Sequence, residues 1–438
     1  MKGSSCLKEF IRYASMNILG MLGISFYILV DTFFVSAGMG ANGIAALNLA
    51  IPVYNLVHGT GLMLGMGGAT KYSIYHGIGE TWEGNRVFAN SLILTGVFAV
   101  LFMFAGAFGS GTVAALLGAN DDTFAMTETY LKVLLLFSPA FLLNDVLICF
   151  VRNDGEPRLS MTAMIAGSLS NIAMDYVFIF PMQMGMLGAV LATSLSPILS
   201  LIILSRHWIK RRGELRFIKV KPRRAMAGSI FAIGLPSFVT EISSGIVILV
   251  FNGIILGLEG NKGVAAYGVV TNLSLVMIAV FTGLAQGMQP LVSRFYSRGE
   301  NGEARSILHY GMLSMLAIAF LIYGAILIFS GEIAGVFNKA GDPYLQKMAV
   351  SGMELYFSAA VFAGFNVILA MFFASVEKAV PAQLISLLRG LVVIVPVVFL
   401  LSQAAGLVGV WLAFPASEAL TAAVGAAVYL TLKKRLSP

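Results

Sequence analysis

Two aspartates interrupt stretches that are otherwise fit only for lipid or protein core. Asp31 breaks the first apolar run, Phe26-Tyr-Ile-Leu-Val-Asp-Thr-Phe-Phe-Val35, and Asp175 breaks the fifth, Ser170-Asn-Ile-Ala-Met-Asp-Tyr-Val-Phe-Ile-Phe180. A carboxylate at membrane depth is costly, so such residues usually face a cavity and mark an ion or substrate path. Asn171 stands four residues before Asp175, which on a helix sets the two one above the other on a single face. With Thr193 from the next run, these side chains make an oxygen-rich pocket suited to a hard cation such as sodium. Two acids that lie close together do not both ionise easily, so the same pocket suits a proton. Tyr27, one turn before Asp31, has the spacing to hydrogen-bond it. The plainer reading is a pair of buried carboxylates satisfied by hydroxyls and amides. It weighs less here, because two acids at similar depth in one bundle are expensive. Asn171 or Thr193 taken alone is more often a helix–helix hydrogen bond than a ligand.

Long apolar helices must position these groups. Of 438 residues, 58% are hydrophobic and 11% are charged, against about 25% charged in soluble domains. A helix needs roughly 20 apolar residues to cross a bilayer. Twelve spans are predicted, centred near residues 24, 60, 98, 138, 171, 197, 241, 277, 317, 360, 391 and 420. The apolar runs are continuous and do not alternate, which excludes an outer-membrane barrel. The first span is long, interrupted by polar residues and without an Ala-x-Ala site, unlike a cleaved signal. Cys6 and Cys149 suggest neither a disulfide nor a metal site, and His58, His76, His207 and His309 are scattered. No P-loop lysine, Gly-x-Ser-x-Gly elbow or His-Glu-x-x-His motif is present, so no enzyme is expected. No cofactor is expected beyond a coupling ion, H+ or Na+.

The net charge of +7 is distributed by topology. Every even connection is basic: Lys2, Lys8 and Arg12; Lys71 and Arg86; Arg152 and Arg158; Arg206, Lys210, Arg211, Arg212, Arg216, Lys219, Lys221, Arg223 and Arg224; Arg294, Arg298 and Arg305; Lys378 and Arg389; Lys433, Lys434 and Arg435. That face holds 24 of the 28 basic residues, and the other keeps Lys132, Lys262, Lys339 and Lys347. The asymmetry is the positive-inside pattern, so both termini are expected in the cytoplasm of a multi-pass protein of the plasma (inner) membrane. A nucleic-acid partner is not expected.

The chain also repeats itself. Thr60-Gly-Leu-Met-Leu-Gly-Met66 recurs as Thr282-Gly-Leu-Ala-Gln-Gly-Met288, and Gly185-Met-Leu-Gly-Ala-Val-Leu-Ala192 as Gly406-Leu-Val-Gly-Val-Trp-Leu-Ala413. Leu143-Asn144 is mirrored by Phe365-Asn366, all at an offset of 221 or 222 residues. Six spans per copy make the repeats parallel, related by an axis along the membrane normal, as in transporters that bind substrate between two halves. The predicted division is an N-lobe over 1–205, a basic linker over 206–225 and a C-lobe over 226–438. Carried across the repeat, Asp31, Asn171, Asp175 and Thr193 fall on or beside Phe251, Val392, Pro396 and Phe414. The second copy folds without these polar groups, which argues that the first keeps them for function.

Glu241 stands mid-span after Gly234-Leu-Pro236 and has no acidic counterpart, since Gly20 and Met21 occupy the matching stretch. It is a candidate substrate contact or a packing residue. Asp145, Glu354 and Glu418 lie nearer span ends or with no defined facing, and packing is their expected role. The 31 Phe and 22 Met would suit a cavity for aromatic, amphiphilic compounds, although most must face lipid or core.

The pattern resembles the multidrug and toxic compound extrusion (MATE) transporters over essentially the whole chain. The stretches that carry the likeness are Val30-Asp-Thr-Phe-Phe-Val-Ser-Ala-Gly38 with Ala45-Ala-Leu47, Arg152-Asn-Asp-Gly155, and Asn171-x-x-x-Asp175 with Thr193. The resemblance implies a first-lobe cation site of Asp31, Asp175, Asn171 and Thr193, serving sodium or proton coupling, with Asn144 associated. Gly234-Leu-Pro-Ser-Phe-Val-Thr-Glu241 is similar to the seventh-span motif of another branch. That branch also needs an aspartate in span ten; this chain offers Asn366, which argues against a second-lobe ion site. The expectation is an all-α membrane protein of twelve helices in two six-helix lobes, related by a pseudo-twofold along the membrane normal. Its expected activity is antiport of organic cations or amphiphilic drugs against H+ or Na+ by alternating access, with Asp31 also touching substrate. Membrane lipids are the other expected partners, and the expected state is a monomer. The alternative is a lipid-linked oligosaccharide flippase, which must neutralise pyrophosphate with several Arg or Lys at membrane depth. Only Arg389 is placed for that.

Overall fold

Glycines with backbone angles closed to other residues divide the longest helices. In a computed structural model describing residues 2–210, 213–338 and 341–433, the helical run Lys2–Gly77 breaks at Gly40 (φ 65°, ψ −153°) and the run Arg224–Ser297 at Gly260 (φ 63°, ψ −155°). The run Ile394–Lys433 breaks at Ala405 and Gly406, the latter with φ 56°. Only glycine adopts such angles without strain. The elements are α1 (Cys6–Gly40), α2 (Asn42–Gly77), α3 (Thr81–Leu116), α4 (Phe124–Leu136 and Ser138–Asn153, bent by 52°), α5 (Pro157–Ile179) and α6 (Gly185–Ile209). They continue as α7 (224–260), α8 (261–297), α9 (Asn301–Phe337), α10 (Pro343–Ser375), α11 (379–405) and α12 (406–433). Among the described residues nine helices are long and apolar enough to cross a membrane, or ten with the bent pair as one. The breaks at Gly260 and Gly406 split two of them again. Each piece exceeds the roughly 20 residues a crossing needs.

The repeat read from the sequence recurs in the backbone. The break at Gly40 matches that at Gly260, positive φ at Gly79 matches Gly299, and Gly185 (φ 57°) matches Gly406. Contacts between the halves repeat too. A Cβ on Gly234 of α7 would stand 1.9 Å from the Met63 carbonyl of α2, and one on Gly67 2.0 Å from the Ile230 carbonyl. On the equivalent pair, Gly287 and Gly283 of α8 press against Ala14 and Ile18 of α1, with Cα atoms 2.7 and 2.8 Å from the added Cβ. All four glycines lie toward the end of the bundle that carries the linker. There α2 and α8 are buried on nearly every residue, whereas their far ends are substantially exposed.

Polar contacts close the same end. Arg152, at the end of α4, donates from Nη1 to Asn17 Oδ1 of α1 and Gln286 Oε1 of α8, each at 2.8 Å. Asn153 donates from Nδ2 to Gln289 Oε1 (3.0 Å), and Gln289 Nε2 donates to Thr70 Oγ1 (3.0 Å). Lys71 meets Glu377 at 2.5 Å, and Arg298 donates to the Gly77 carbonyl at 2.8 Å. Arg152 therefore departs from its reading as a surface charge: its side chain is fully buried, because the helices of the second half cover it. Arg211, Arg212, Lys339, Lys434 and Arg435 lie outside the described residues.

The described part of the linker, from Gly213 onward, is docked. Asp154 accepts hydrogen bonds from Tyr72 Oη (2.5 Å), His207 Nε2 (2.8 Å) and the N–H groups of Glu214 and Leu215 (3.0 Å each). Asn85 accepts from the Arg216 N–H at 2.6 Å, and Asn90 from the Arg223 N–H at 3.0 Å. Burial pushes the Asp154 carboxyl up, but these hydrogen bonds outweigh it and hold the group below the usual carboxylate range.

Candidate functional site

The apolar core differs between the halves. The second half packs around one core that includes Phe281, Met288, Phe357, Phe373 and Trp411, into which α1 inserts Phe10 and Tyr13. The first half has two cores, one near the linker with Leu64, Tyr72, Phe88 and Phe150, and one at the far end with Val35, Leu131, Leu134 and Ala189. Asp31, Asn171, Asp175 and Thr193 all fall in chain position between those two cores, as do His58 and Asp145. A polar belt thus divides the first half, and burying it requires partners for every group.

The structure brings the four expected residues together. Asp31 on α1 and Asp175 on α5 place their carboxyls within hydrogen-bonding reach of each other. Assigned by its hydrogen bonds, the Asn171 amide donates to Asp175 Oδ2 at 2.9 Å and accepts from the Thr193 N–H at 3.2 Å. Turned the other way, its nitrogen faces Thr193 Oγ1 at 3.4 Å. Asn171 and Asp175 are fully buried, and Asp31 and Thr193 nearly so. Asp31 Oδ1 and Asp175 Oδ1 nonetheless lack a hydrogen-bond partner. A hydrogen bond between two carboxyls holds one proton, and the same cluster of oxygens offers hard donors to a small cation.

Other expected residues sit elsewhere in the belt. Tyr27 does not hydrogen-bond Asp31; its hydroxyl meets that of Tyr54 on α2 at 3.1 Å. The one-turn spacing aligns the residues, but the long phenol reaches across to the next helix. Asn144 lies on α4, with Oδ1 buried and unpartnered. Glu241 lies apart from the Asp31 pair, against Gly59 of α2. Asp145 is not a simple packing residue: its Oδ2 lies 2.9 Å from His58 Nδ1. Glu418 is buried inside α12, held by Arg389 (Nη2 to Oε1 2.9 Å) and Asn366 (Nδ2 to Oε2 2.6 Å). Arg389 comes from a single π-helical turn, Leu388–Val392, so the second half carries its own cation beside its acid.

Two participants were not legible in the sequence. Tyr130 of α4 hydrogen-bonds Thr193 and lies in electrostatic range of Asp31 and Asp175, yet a lone tyrosine in an apolar helix gives no signal. The His58–Asp145 pair joins residues on separate helices, and nothing local links them. Among the described residues, no three or more His, Cys, Asp or Glu side chains are placed to hold a metal ion together.

Comparison with known proteins places this geometry. The chain is 25% identical over 437 residues to the multidrug export protein MepA of Staphylococcus saprophyticus, covering 99% of this chain and 96% of that protein. It is 27% identical over 439 residues to MepA of Staphylococcus aureus (strain MRSA252), with the same coverage. Its fold matches a MATE crystal structure in complex with MaL6 (TM-score 0.91, 23% identity, 98% of this chain and 96% of that one). It matches equally an outward-facing multidrug resistance MATE family transporter of the MOP superfamily (TM-score 0.91, 23% identity, 98% and 96%). Residues 17–177 and 236–400 match the MatE family, stretches that contain Asp31, Asn171, Asp175 and Glu241, and the chain belongs to that family.

Proposed function

We propose that this protein exports organic cations and amphiphilic drugs by antiport against H+ or Na+, with the coupling site in the N-lobe. The observation that carries the reading is the belt of Asp31, Asn171, Asp175 and Thr193, present in one half of a repeated chain and absent from the other. Residues 1–205 form one lobe and 226–438 its pseudo-twofold partner, joined by the linker over 206–225. The linker side is cytoplasmic on the lysine and arginine asymmetry. The lobes meet there through α1 with α8 and α2 with α7, so this conformation is closed inward and open outward.

A proton or sodium ion entering between Asp31 and Asp175 relieves their repulsion and lets α1, α5 and α6 repack. That repacking shrinks the cleft and expels the drug. A ligand drives such a change only through unequal affinity for the two states, and the paired carboxyls of the first lobe can supply it. The second lobe, whose acid is held by Arg389, moves as a rigid body. The flippase alternative finds no support, because Arg389 is spent on Glu418 and Arg152 is covered by the lobe contact. The test is drug accumulation in cells carrying wild type, Asp31→Asn or Asp175→Asn at equal expression, with and without an ionophore. Both substitutions should abolish active export while insertion persists. Wild-type extrusion in both variants would sink the site, and extrusion indifferent to ionophore would sink the antiport.

A further inference from the structure

Between two of its docking points the linker stands off the bundle. Asn85 and Asn90 of α3 hold the Arg216 and Arg223 N–H groups. From Asn85 to Asn90 the helix advances about 7.5 Å, whereas the chain from 216 to 223 can reach about 23 Å. The excess arches outward and encloses a groove of about 300 Å³, with Ala89, Leu92 and Ile93 of α3 on one wall and Phe217, Ile218 and Val220 on the other. The arch is anchored: Phe217 packs on Phe88 and Trp208 with ring centroids 5.3 and 5.0 Å apart, yet 61% of it stays exposed. Across the repeat, Asn85 and Asn90 correspond to Arg305 and Tyr310, so the two amides that hold the arch belong to the first copy alone.

The groove lies where apolar surface meets positive charge. Beyond Ile93, the residues Val97, Leu101, Phe104 and Phe108 continue one face of α3, each more than half exposed. From Ile93 to Phe104 the helix rises about 16 Å, close to the depth of one leaflet of the roughly 30 Å hydrocarbon core. Lys219 borders the groove, and Lys219, Lys221, Arg223 and Arg224 are all exposed. Among the described residues no carboxylate pairs with these four. Glu83 is engaged by Arg86, Glu214 by Thr81 and His76, and Asp154 by the linker backbone. Trp82 and Trp208 stand at this end of α3 and α6, as amphipathic aromatic side chains do where a bilayer meets water. Topology alone accounts for basic residues here, but it requires neither the arch nor an apolar groove beneath it.

We propose that this groove binds an anionic phospholipid, its phosphate at Lys219 and Lys221 and one acyl chain beneath the arch and along α3. Basic clusters immediately beside a membrane helix attract anionic headgroups, and here the same segment also supplies an apolar wall. Free phosphate would use the lysines and leave the groove empty. A neutral lipid would fill the groove and leave the lysines unpaired. The anionic lipid satisfies both. Held there, it ties the chain that joins the two halves to α3, just before that chain enters α7 at Arg224.

The test is fluorescence quenching of the purified full-length protein carrying Trp82→Phe, in mixed micelles with phosphatidylglycerol or phosphatidylcholine brominated on the acyl chains. Trp208 then reports the groove through Phe217, because Trp411 is buried in the core of the second half. Quenching should saturate at roughly tenfold less phosphatidylglycerol than phosphatidylcholine, and the preference should shrink as salt is raised. Lys219→Gln with Lys221→Gln, both at exposed positions, should abolish the preference. Lys8→Gln with Arg12→Gln, exposed at the same end of the bundle, should retain it. Equal quenching by the two lipids overturns the proposal. Equal loss of preference in the two double variants overturns it as well, since the overall charge of that face would then be the cause. Inorganic phosphate at matched ionic strength should leave the preference intact; if phosphate abolishes it, the lysines take a free anion and the lipid site falls.

Discussion

Removing Gln286 should open the linker side of the bundle, and removing Arg152 should not. In the closed contact the Arg152 guanidinium has only neutral described partners: Nη1 reaches two amide oxygens, Nη2 reaches the sulfurs of Met66 (3.1 Å) and Cys149 (3.7 Å), and Nε is buried without a partner. A desolvated ion costs several kcal/mol, and its hydrogen bonds return about 1.5–3 kcal/mol each. The lock is thus nearly balanced, and its sign depends on which partner is lost. Gln286→Leu deletes one of two strong acceptors and leaves the charge buried, weakening the closed state by about 3 kcal/mol, or two powers of ten in the equilibrium. Arg152→Met removes the charge along with its hydrogen bonds, and an apolar replacement of similar size is neutral or stabilising by about 1–4 kcal/mol. Spin labels on Glu80 and Glu300, exposed at equivalent turns after α2 and α8, report the opening. Gln286→Leu should add a longer distance, Arg152→Met should not, and Arg152→Met with Gln286→Leu should behave as Arg152→Met. If Arg152→Met opens the protein as far as Gln286→Leu does, packing and not electrostatics holds the lobes, and the reasoning fails.

Gly234→Ala places a Cβ against the Met63 backbone and should cost about 1–3 kcal/mol or more in thermal stability. Gly228→Ala, with nothing within 4 Å, should be neutral or slightly stabilising in the same melt. Asp154→Asn should cost about 3 kcal/mol by weakening the bonds that dock the linker, read as faster proteolysis within residues 213–223. Because folding lowers the Asp154 pKa, its contribution is complete above the unfolded value of about 3.9 and is lost as pH falls through the folded value. Wild-type linker protection should therefore fail only in acid, and protection already lost near neutral pH would contradict the assignment. A reporter after Arg216 should read cytoplasmic and one near Asn261 external; opposite readings would invert the topology.

Much of the architecture is written locally. Runs of apolar residues set the spans, and the offset of about 221 residues reveals the two copies. The spacing of Asn171 and Asp175 put them on one helix face, and their occurrence in one copy only marked them as functional candidates. Those inferences need only hydropathy and the helical period, which act between neighbours in the chain. Which acid meets which partner is a different matter, because the azimuth of each helix is decided by packing against helices far away in sequence. Asp145 read as packing until α4 turned it toward His58, 87 positions away. Arg152 read as a surface charge until α8, 134 positions on, covered it. Tyr27 was aligned with Asp31 along α1, yet the contact between α1 and α2 gave it to Tyr54. Glu418 became half of an ion pair only when a π turn swung Arg389 toward α12. In a bundle where nearly every span is apolar, no local pattern sets these rotations, and tertiary packing alone chose the polar partners.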